Sequence, residues 1–232
     1  MTVRILALDT CTETCSAAIL VGDEIIEQHQ FAPREHAKLL LPMAQQLLAQ
    51  AALSLSQLDA IAFGRGPGSF TGVRICTSTA QGLAFGADLP LLPMSTLQAL
   101  AQQGYRLSQV PHQIAAIDAR MNEVYCGAFE LSSKGMVKSC DERIVAPEKW
   151  IELLGSNNDA YYGVGSGWAA YPTMQPLSER IQCHVEALFP LAQDMAYLAQ
   201  FAWQNGEAVD AAKAQPVYLR DTVTWKKLPG RE

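Results

Sequence analysis

The residues that could do chemistry in this sequence lie in a glycine-rich loop and at the ends of two apolar runs. Residues 64–74 read GRGPGSFTGVR, and such a density of glycine makes a turn that can lie against another surface or cradle an anion. The loop is not a phosphate-binding Walker A loop, because no lysine occurs between Lys38 and Lys134. It also departs from G-x-G-x-x-G, because Thr71 stands where the last glycine belongs. We therefore predict a functional loop that matches neither common nucleotide-binding template.

Two aspartates, Asp9 and Asp118, each end an apolar run. Asp9 is followed by Thr10, Thr12 and Thr14, whose hydroxyl and backbone N–H groups could face a phosphate while Asp9 holds a metal through water. The same residues fit a polar turn that bonds only to its own backbone. Two hypotheses follow: a nucleotide or phosphate site, or the vestige of one, at Asp9, Thr10 and Asp118, or a structural turn.

Histidine and cysteine spacing gives little support for a metal site. The four histidines form no H-x-x-x-H pair, and Leu40 stands where a second ligand would follow His36 on a helix. The six cysteines contain no C-x-x-C pair, so we interpret them as reduced thiols, mostly filling the core. We predict no metal site and no resident cofactor.

The composition describes a soluble globular protein of 232 residues with a net charge of −6. A chain this acidic binds nucleic acid poorly by itself, because phosphate affinity comes mainly from Lys and Arg. No secretory signal and no apolar run of membrane-spanning length is visible. We expect a cytoplasmic protein that reaches nucleic acid only through a partner.

The elements that must position these residues follow a duplicated order. LALDTCTETCSAAILVGDEIIEQ and AAIDARMNEVYCGAFELSSKGMVKS both read strand–Asp, polar turn, strand, glycine turn, strand. We predict an α/β protein of two lobes, 1–106 and 107–232. This order resembles the actin-like ATPase architecture, with two tandem RNase H-like lobes of the ASKHA superfamily. The predicted strands and helices of the chain are Val3–Asp9, Ser16–Val21, Glu24–Phe31, Pro33–Ala51, Leu58–Phe63, Thr71–Gly86, Ser95–Gln103, Gln113–Asp118, Glu123–Leu131 and Met136–Val145.

The two N-terminal helices lack the charged outer face of an ordinary surface helix. Between Thr71 and Ala87 the only charged residue is Arg74. Small and apolar outward faces favour close packing against another subunit; the alternative is burial beneath the chain's own second lobe. The predicted interface residues are Leu39, Met43, Ile75, Ser78, Thr79, Gly82 and Phe85.

The C-terminus mixes aromatic and basic side chains in residues 215–220 and 225–229. It could be a docking tail or an RNA-contacting arm that uses Arg220, Lys226 and Lys227. A tail packed on its own domain fits equally well.

Six motifs together resemble the TsaB (YeaZ) family: ILALDT followed by T-x-x-C-S, R-E-H, GRGPGSFTGVRI, IDARMNEVY, GSGW and PVYLR. The resemblance runs nearly end to end. It implies an accessory subunit of the bacterial machinery that places threonylcarbamoyl on adenosine 37 of tRNA. It also implies a dimer through the N-terminal helices, a catalytic paralogue (TsaD) as preferred partner and a small ATPase (TsaE). The sequence leaves open whether ATP or ADP is held at the partner interface. That paralogue holds its metal with two helix histidines, where this chain has only His36.

The sequence and the resemblance together predict a platform instead of an enzyme. Both helices would pack against the partner's equivalents and favour its active conformation, or against a second copy when the partner is absent. The loop residues Arg65, Gly66, Gly68 and Ser69 would lie at the rim of that contact. The competing prediction is an ATP-dependent phospho- or acyl-transferase in which Asp9 and Asp118 bracket magnesium. A nucleic-acid-binding module is a third class, disfavoured by the charge.

Overall fold

The computed structural model describes residues 2–154, 159–174, 181–183 and 186–220. These residues form two α/β lobes, each built on one mixed sheet. Within these ranges no helix is both long and apolar enough to cross a bilayer.

The first lobe is a five-stranded sheet with the order β3-β2-β1-β4-β5. Strands β1, β2 and β4 are buried on both faces, which is why they read as continuous apolar runs. Two helices cover one face, and a helix from the end of the chain covers the other. The elements are β1 (Arg4–Asp9), β2 (Thr14–Val21), β3 (Glu24–Phe31), α1 (His36–Gln50), β4 (Ala60–Gly64), α2 (Phe70–Ala87) and β5 (Leu91–Met94).

The second lobe repeats this plan with the order β11-β10-β6-β7-β8, while β9 pairs with β7. In each sheet the first three strands in chain order pair antiparallel, and the two later strands add to them by parallel pairings, so the predicted duplication of two actin-like, RNase H-like lobes is confirmed. The elements are α3 (Thr96–Ser108), β6 (His112–Asp118), β7 (Val124–Ser132), β8 (Gly135–Lys138), β9 (Arg143–Val145), β10 (Tyr161–Val164), α4 (Ser166–Ala170), β11 (Ile181–Cys183) and α5 (Ala192–Gln204).

Helices α3 and α5 tie the two lobes together. Residues of α3 pack on the second sheet, where Leu97 and Leu100 meet Ile117. In contrast, α5 covers the first sheet. A division at residue 106 therefore separates the two sheets but falls inside α3. Most of α3 then belongs in sequence to the first lobe although it packs on the second sheet, and α5 belongs to the second lobe although it covers the first sheet.

Three predicted elements differ in the structure. Helix α3 runs to Ser108, five residues beyond the predicted end at Gln103. The predicted strand 136–145 is divided into β8 and β9, because the N–H groups of Ser139 and Cys140 both donate to the Ala128 carbonyl and pull the chain out of register. The first helix begins at His36 instead of Pro33, because Arg34 has a φ of 71° and cannot continue a helix.

Candidate functional site

Helices α1 and α2 lie side by side, and beyond the exposed Lys38 and Arg74 near their N-terminal ends their outward residues are uncharged. Ser78 and Gly82 are exposed, Phe85 is 63% exposed, and Ile75 and Thr79 are half-buried. A Cβ placed on Gly82 would meet no atom within 4 Å, so another helix could approach this backbone closely. We call this face the helix surface and define it by Leu41, Ile75, Ser78, Thr79, Gly82 and Phe85.

The α1 side of the helix surface differs from the sequence prediction. Met43 is only 8% exposed and belongs to the lobe's core, so the prediction that it faces outward is wrong. It lies three residues after Leu40 and four before Leu47, and all three share the inward face of the helix. Leu39 is half-buried against the same core. Leu41, by contrast, is 43% exposed.

The glycine-rich loop packs against the backbone of its own lobe. A Cβ on Gly68 would lie 2.2 Å from the Cys11 carbonyl oxygen, and one on Gly72 would lie 2.1 Å from that of Thr10. The N–H of Ser69 donates to the Cys11 carbonyl at 2.7 Å, and the Ser69 hydroxyl caps α2. These glycines therefore permit a close approach of two backbone segments within the chain, which only a residue without Cβ allows.

The other half of the loop faces the second lobe and the C-terminal segment. Gly66 is buried beneath Val217, whose N–H donates to the Arg65 carbonyl at 2.7 Å. The guanidinium of Arg65 lies 3.9 Å from the Glu142 carboxylate, and Glu142 also accepts a hydrogen bond from Ser95. Of the four predicted rim residues, Ser69 is exposed, Arg65 and Gly68 are half-buried and Gly66 is buried.

Thr96, the first residue of α3, holds the glycine-rich loop by two hydrogen bonds. Its N–H donates to the Gly66 carbonyl, and its fully buried hydroxyl donates to the Pro67 carbonyl. Replacing Thr96 by valine should lower the free energy of unfolding by about 1–2 kcal/mol, because the Pro67 carbonyl stays buried without its donor. Urea unfolding measures this change, and Thr96→Ser, which keeps the hydroxyl, is the control. A Thr96→Val protein as stable as the parent would contradict the role assigned to the hydroxyl.

A cleft of about 830 Å³ opens between the lobes. It is lined by the turn after β1, the start of α1, the glycine-rich loop, the turn after β6 and the C-terminal segment. Four of the ten arginines of the chain line it: Arg34, Arg74, Arg120 and Arg220. His36 also lines it and is buried, with no partner for Nε2 within the described chain.

Three of the four arginines are engaged by groups of the chain itself. Arg120 bonds Asp118 and Glu13 at 2.8 Å each, which joins the lobes. Arg220 pairs with a carboxylate of the second lobe. Arg74 stacks on the Phe70 ring, 3.7 Å from its centroid, and donates to a tyrosine hydroxyl. Carboxylates of the chain itself thus offset the charges of two of the four arginines, Arg120 and Arg220.

The structure separates the residues of the predicted phosphate site. Asp118 lines the cleft, where its carboxylate accepts hydrogen bonds from Arg120 and Tyr171. Asp9 and Thr10 have no exposed surface and do not line the cleft. The Thr10 hydroxyl donates to the Gly72 carbonyl at 2.7 Å. Burial raises the pKa of Asp9 to about 7, against the lowering effect of hydrogen bonds from Cys11. The structural-turn hypothesis accounts for Thr10.

The C-terminal segment 215–220 packs on its own chain and crosses the mouth of the cleft. Val217 bonds the glycine-rich loop, Tyr218 stacks on Phe70 with ring centroids 5.6 Å apart, and Arg220 reaches Glu123 and the Arg120 carbonyl. These contacts fit the sequence-based alternative of a tail packed on its own domain. The sequence did not indicate which residues the tail contacts, because they are distant from it along the chain. Lys226 and Lys227, proposed as RNA contacts, lie outside the described residues.

Comparison with known proteins shows which family has this arrangement. A family model described as "TsaD: tRNA N6-adenosine threonylcarbamoyltransferase" matches residues 20–224. The tRNA threonylcarbamoyladenosine biosynthesis protein TsaB of Haemophilus influenzae is 45% identical over 239 aligned residues, which cover 98% of each chain. The chain belongs to the TsaB (YeaZ) family. The TsaB of Escherichia coli is 42% identical and covers 99% of this chain and 100% of its own.

A solved TsaB-family structure agrees with the fold. YeaZ from Pseudomonas aeruginosa superimposes with a TM-score of 0.87 at 43% identity, covering 94% of this chain and 100% of that one. Three of the motifs that carry the TsaB resemblance meet at one place in the structure. The glycine-rich loop, the IDAR turn after β6 and the YLR segment together border the mouth of the cleft.

Proposed function

We propose that this chain is a non-catalytic scaffold and activating subunit in the synthesis of threonylcarbamoyladenosine on tRNA. The relatives that share its full length are named for that biosynthesis. The matching family model is described as the threonylcarbamoyltransferase TsaD, so a paralogue of the same fold is the natural partner. TsaD would transfer the threonylcarbamoyl group to adenosine 37, with the ATPase TsaE joining the complex, and tRNA would be contacted through the complex.

The helix surface is the observation that carries this proposal. Its small and apolar residues leave the α2 backbone accessible, and Phe85 extends into solvent. Such a face is stabilised when equivalent helices of a second subunit exclude water from it. A paralogue of the same fold offers equivalent helices, and so does a second copy of this chain. We therefore propose a heterodimer with TsaD and a symmetric homodimer in its absence.

The cleft supports a non-catalytic role. Asp9 does not reach the cleft, and Asp118 is engaged by Arg120 and Tyr171. A magnesium ion at Asp118 would have to displace the guanidinium. The observations that favour the competing function, an ATP-dependent phospho- or acyl-transferase, are the size of the cleft and the four arginines that line it. A nucleotide held where the partner covers the cleft is compatible with the scaffold.

A charge on the helix surface tests the proposed contact. Gly82→Arg should weaken binding to TsaD more than thirtyfold, because a guanidinium would be desolvated at a close helix contact, while the fold is kept since Gly82 faces open space. Calorimetry or gel filtration of the mixed subunits measures it. The controls are Gly82→Ala, which keeps the surface small, and Gln204→Arg, which adds the same charge to the exposed end of α5. Binding of Gly82→Arg within threefold of the unsubstituted chain would contradict the proposal.

The catalytic alternative is tested on the isolated chain. Titration of Mg-ATP by calorimetry, with Asp118→Asn as comparison, should give no magnesium-dependent binding. Tight magnesium-dependent binding that Asp118→Asn abolishes would favour the transferase. In the reconstituted reaction with TsaD and TsaE, Gly82→Arg should reduce tRNA modification in parallel with the loss of binding.

A further inference from the structure

A second polar cluster lies outside the cleft, between the end of β1 and the inner face of α2. An Asp9 carboxylate oxygen and the sulfur atoms of Cys11 and Cys76 all lie within 4.8 Å of one another. All three residues have no exposed surface. They come from separate parts of the first lobe: the last residue of β1, the turn after it, and the second turn of α2.

The hydrogen bonds of this cluster leave one oxygen without a donor. The Cys11 thiol donates to the Gly64 carbonyl and the Cys76 thiol to the Leu8 carbonyl, each at 3.2 Å. Asp9 Oδ1 accepts from the Cys11 N–H at 3.3 Å, but Oδ2 is buried with no partner within the described residues. A buried carboxylate oxygen without a donor is costly, and in native proteins such an atom commonly faces an ion or a water.

We propose that Asp9, Cys11 and Cys76 form a binding site for one Zn²⁺ ion. Zinc bonds thiolate sulfur at about 2.3 Å and carboxylate oxygen at about 2.0–2.2 Å, which places the ligand atoms of a tetrahedral site roughly 3.5–3.8 Å apart. The three ligand atoms lie within 4.8 Å of one another, so they would have to close by at most about 1.3 Å to reach this spacing, and the fourth ligand would come from outside these three side chains. Two sulfur ligands exclude Mg²⁺ and Ca²⁺, which take oxygen ligands, and the carboxylate favours zinc over softer Cu⁺.

Zinc binding releases protons from the ligands. Each thiol gives up its proton to solvent and becomes a thiolate ligand, so two protons leave for each Zn²⁺ bound; a third leaves wherever Asp9 is protonated. The bound cation would stabilise both thiolates and the carboxylate in the buried site, so zinc binding and proton release are coupled. The bound ion would join the turn after β1 to α2, whose outer face is the helix surface.

Refolding with a spectroscopic probe tests the site, since the ligand atoms have no exposed surface and are reached during folding. The full chain, reduced and refolded with one equivalent of Co²⁺ without oxygen, should show thiolate-to-cobalt charge-transfer absorption that Zn²⁺ abolishes. Elemental analysis of protein refolded with Zn²⁺ should give one zinc per chain, with two to three protons released.

Variants separate this site from adventitious thiols. Cys11→Ser and Cys76→Ser should each weaken metal binding at least a hundredfold, and Asp9→Asn, which keeps both thiols, at least tenfold. Cys126→Ser, which removes a buried thiol of the second lobe, and Cys183→Ser, which removes an exposed one, should bind as the parent does. Absence of the charge-transfer band in the parent, or its persistence in both Cys11→Ser and Cys76→Ser, would overturn the proposal.

Discussion

Replacing Gly72 by alanine is expected to destabilise the protein by about 4 kcal/mol, because overpacking against immovable backbone is among the costliest single changes. A Cβ there would lie 2.1 Å from the Thr10 carbonyl oxygen. The Thr10 backbone cannot withdraw, since its own hydroxyl donates to the Gly72 carbonyl and its neighbour Asp9 is fixed in β1. The helix and the turn would have to separate, and the core beneath them would lose its packing.

The same substitution ten residues later should have the opposite sign. Gly82 lies in the same helix, and a Cβ there meets nothing within 4 Å. Gly82→Ala should therefore stabilise the protein by about 0.5–1 kcal/mol through helix propensity alone. Guanidinium unfolding followed by circular dichroism, at a concentration where the chain is monomeric, measures both. A Gly72→Ala protein within 1 kcal/mol of the parent would show that the turn after β1 yields more easily than its hydrogen bonds indicate.

The sheet of the first lobe could be predicted from sequence because its signals are local. Strand β3 has the predicted bounds Glu24–Phe31, since the turn Gly22-Asp23 and the helix start fix both ends. The duplication was visible because each lobe opens with an apolar run that ends in Asp. The uncharged outward face of α2 was likewise visible, because periodicity shows which positions a helix turns away from the sheet. Its role as an interface stays a prediction.

Contacts between distant segments could not be predicted. The glycines of the loop indicated a close approach, but the partner proved to be the backbone of Thr10 and Cys11, more than fifty residues earlier. Asp9 fitted a nucleotide site by residue type, because it ends an apolar run and is followed by three threonines. Only the packing of α2 shows that Asp9 is buried behind the cleft. Met43 was predicted to face outward but lies on the inward face of α1. Both faces of the helix carry apolar residues near Met43, so periodicity alone does not choose between them.

The pair of Arg106 and Asp194 joins the ends of α3 and α5, and so links the helices that tie the lobes together. The guanidinium bonds both carboxylate oxygens at 2.9 Å, and the Asp194 side chain is 2% exposed. Burial raises the pKa of Asp194 to about 6, although Arg106 acts to lower it; Glu27 of β3 raises it further. The pair therefore depends on Arg106 to keep an ionised carboxylate in the interior.

Replacing Arg106 by alanine should cost about 3 kcal/mol at pH 8, because it leaves a buried carboxylate unpaired. We place the loss at the lower end of the usual range since the Arg106 side chain is 40% exposed. The loss should shrink at pH 5. With the lowering effect of Arg106 removed, the pKa of Asp194 rises above about 6. In the folded variant the carboxyl is therefore neutral at pH 5. At pH 8 the folded variant must either hold an unpaired buried carboxylate or keep the carboxyl protonated, and both cost free energy. In the unfolded chain it is ionised at both pH values, so stability of the variant falls as pH rises through that window.

Urea unfolding at pH 5 and pH 8 measures this dependence. Asp194→Asn added to Arg106→Ala should remove most of the extra loss at pH 8, because no carboxylate is then left to ionise, and Arg106→Lys should fall between the parent and Arg106→Ala, since lysine keeps the charge without the two-point geometry. The same destabilisation by Arg106→Ala at both pH values would contradict this account. It would mean that the arginine acts through the packing of its aliphatic stem between α3 and α5, and that water solvates the Asp194 carboxylate in the variant.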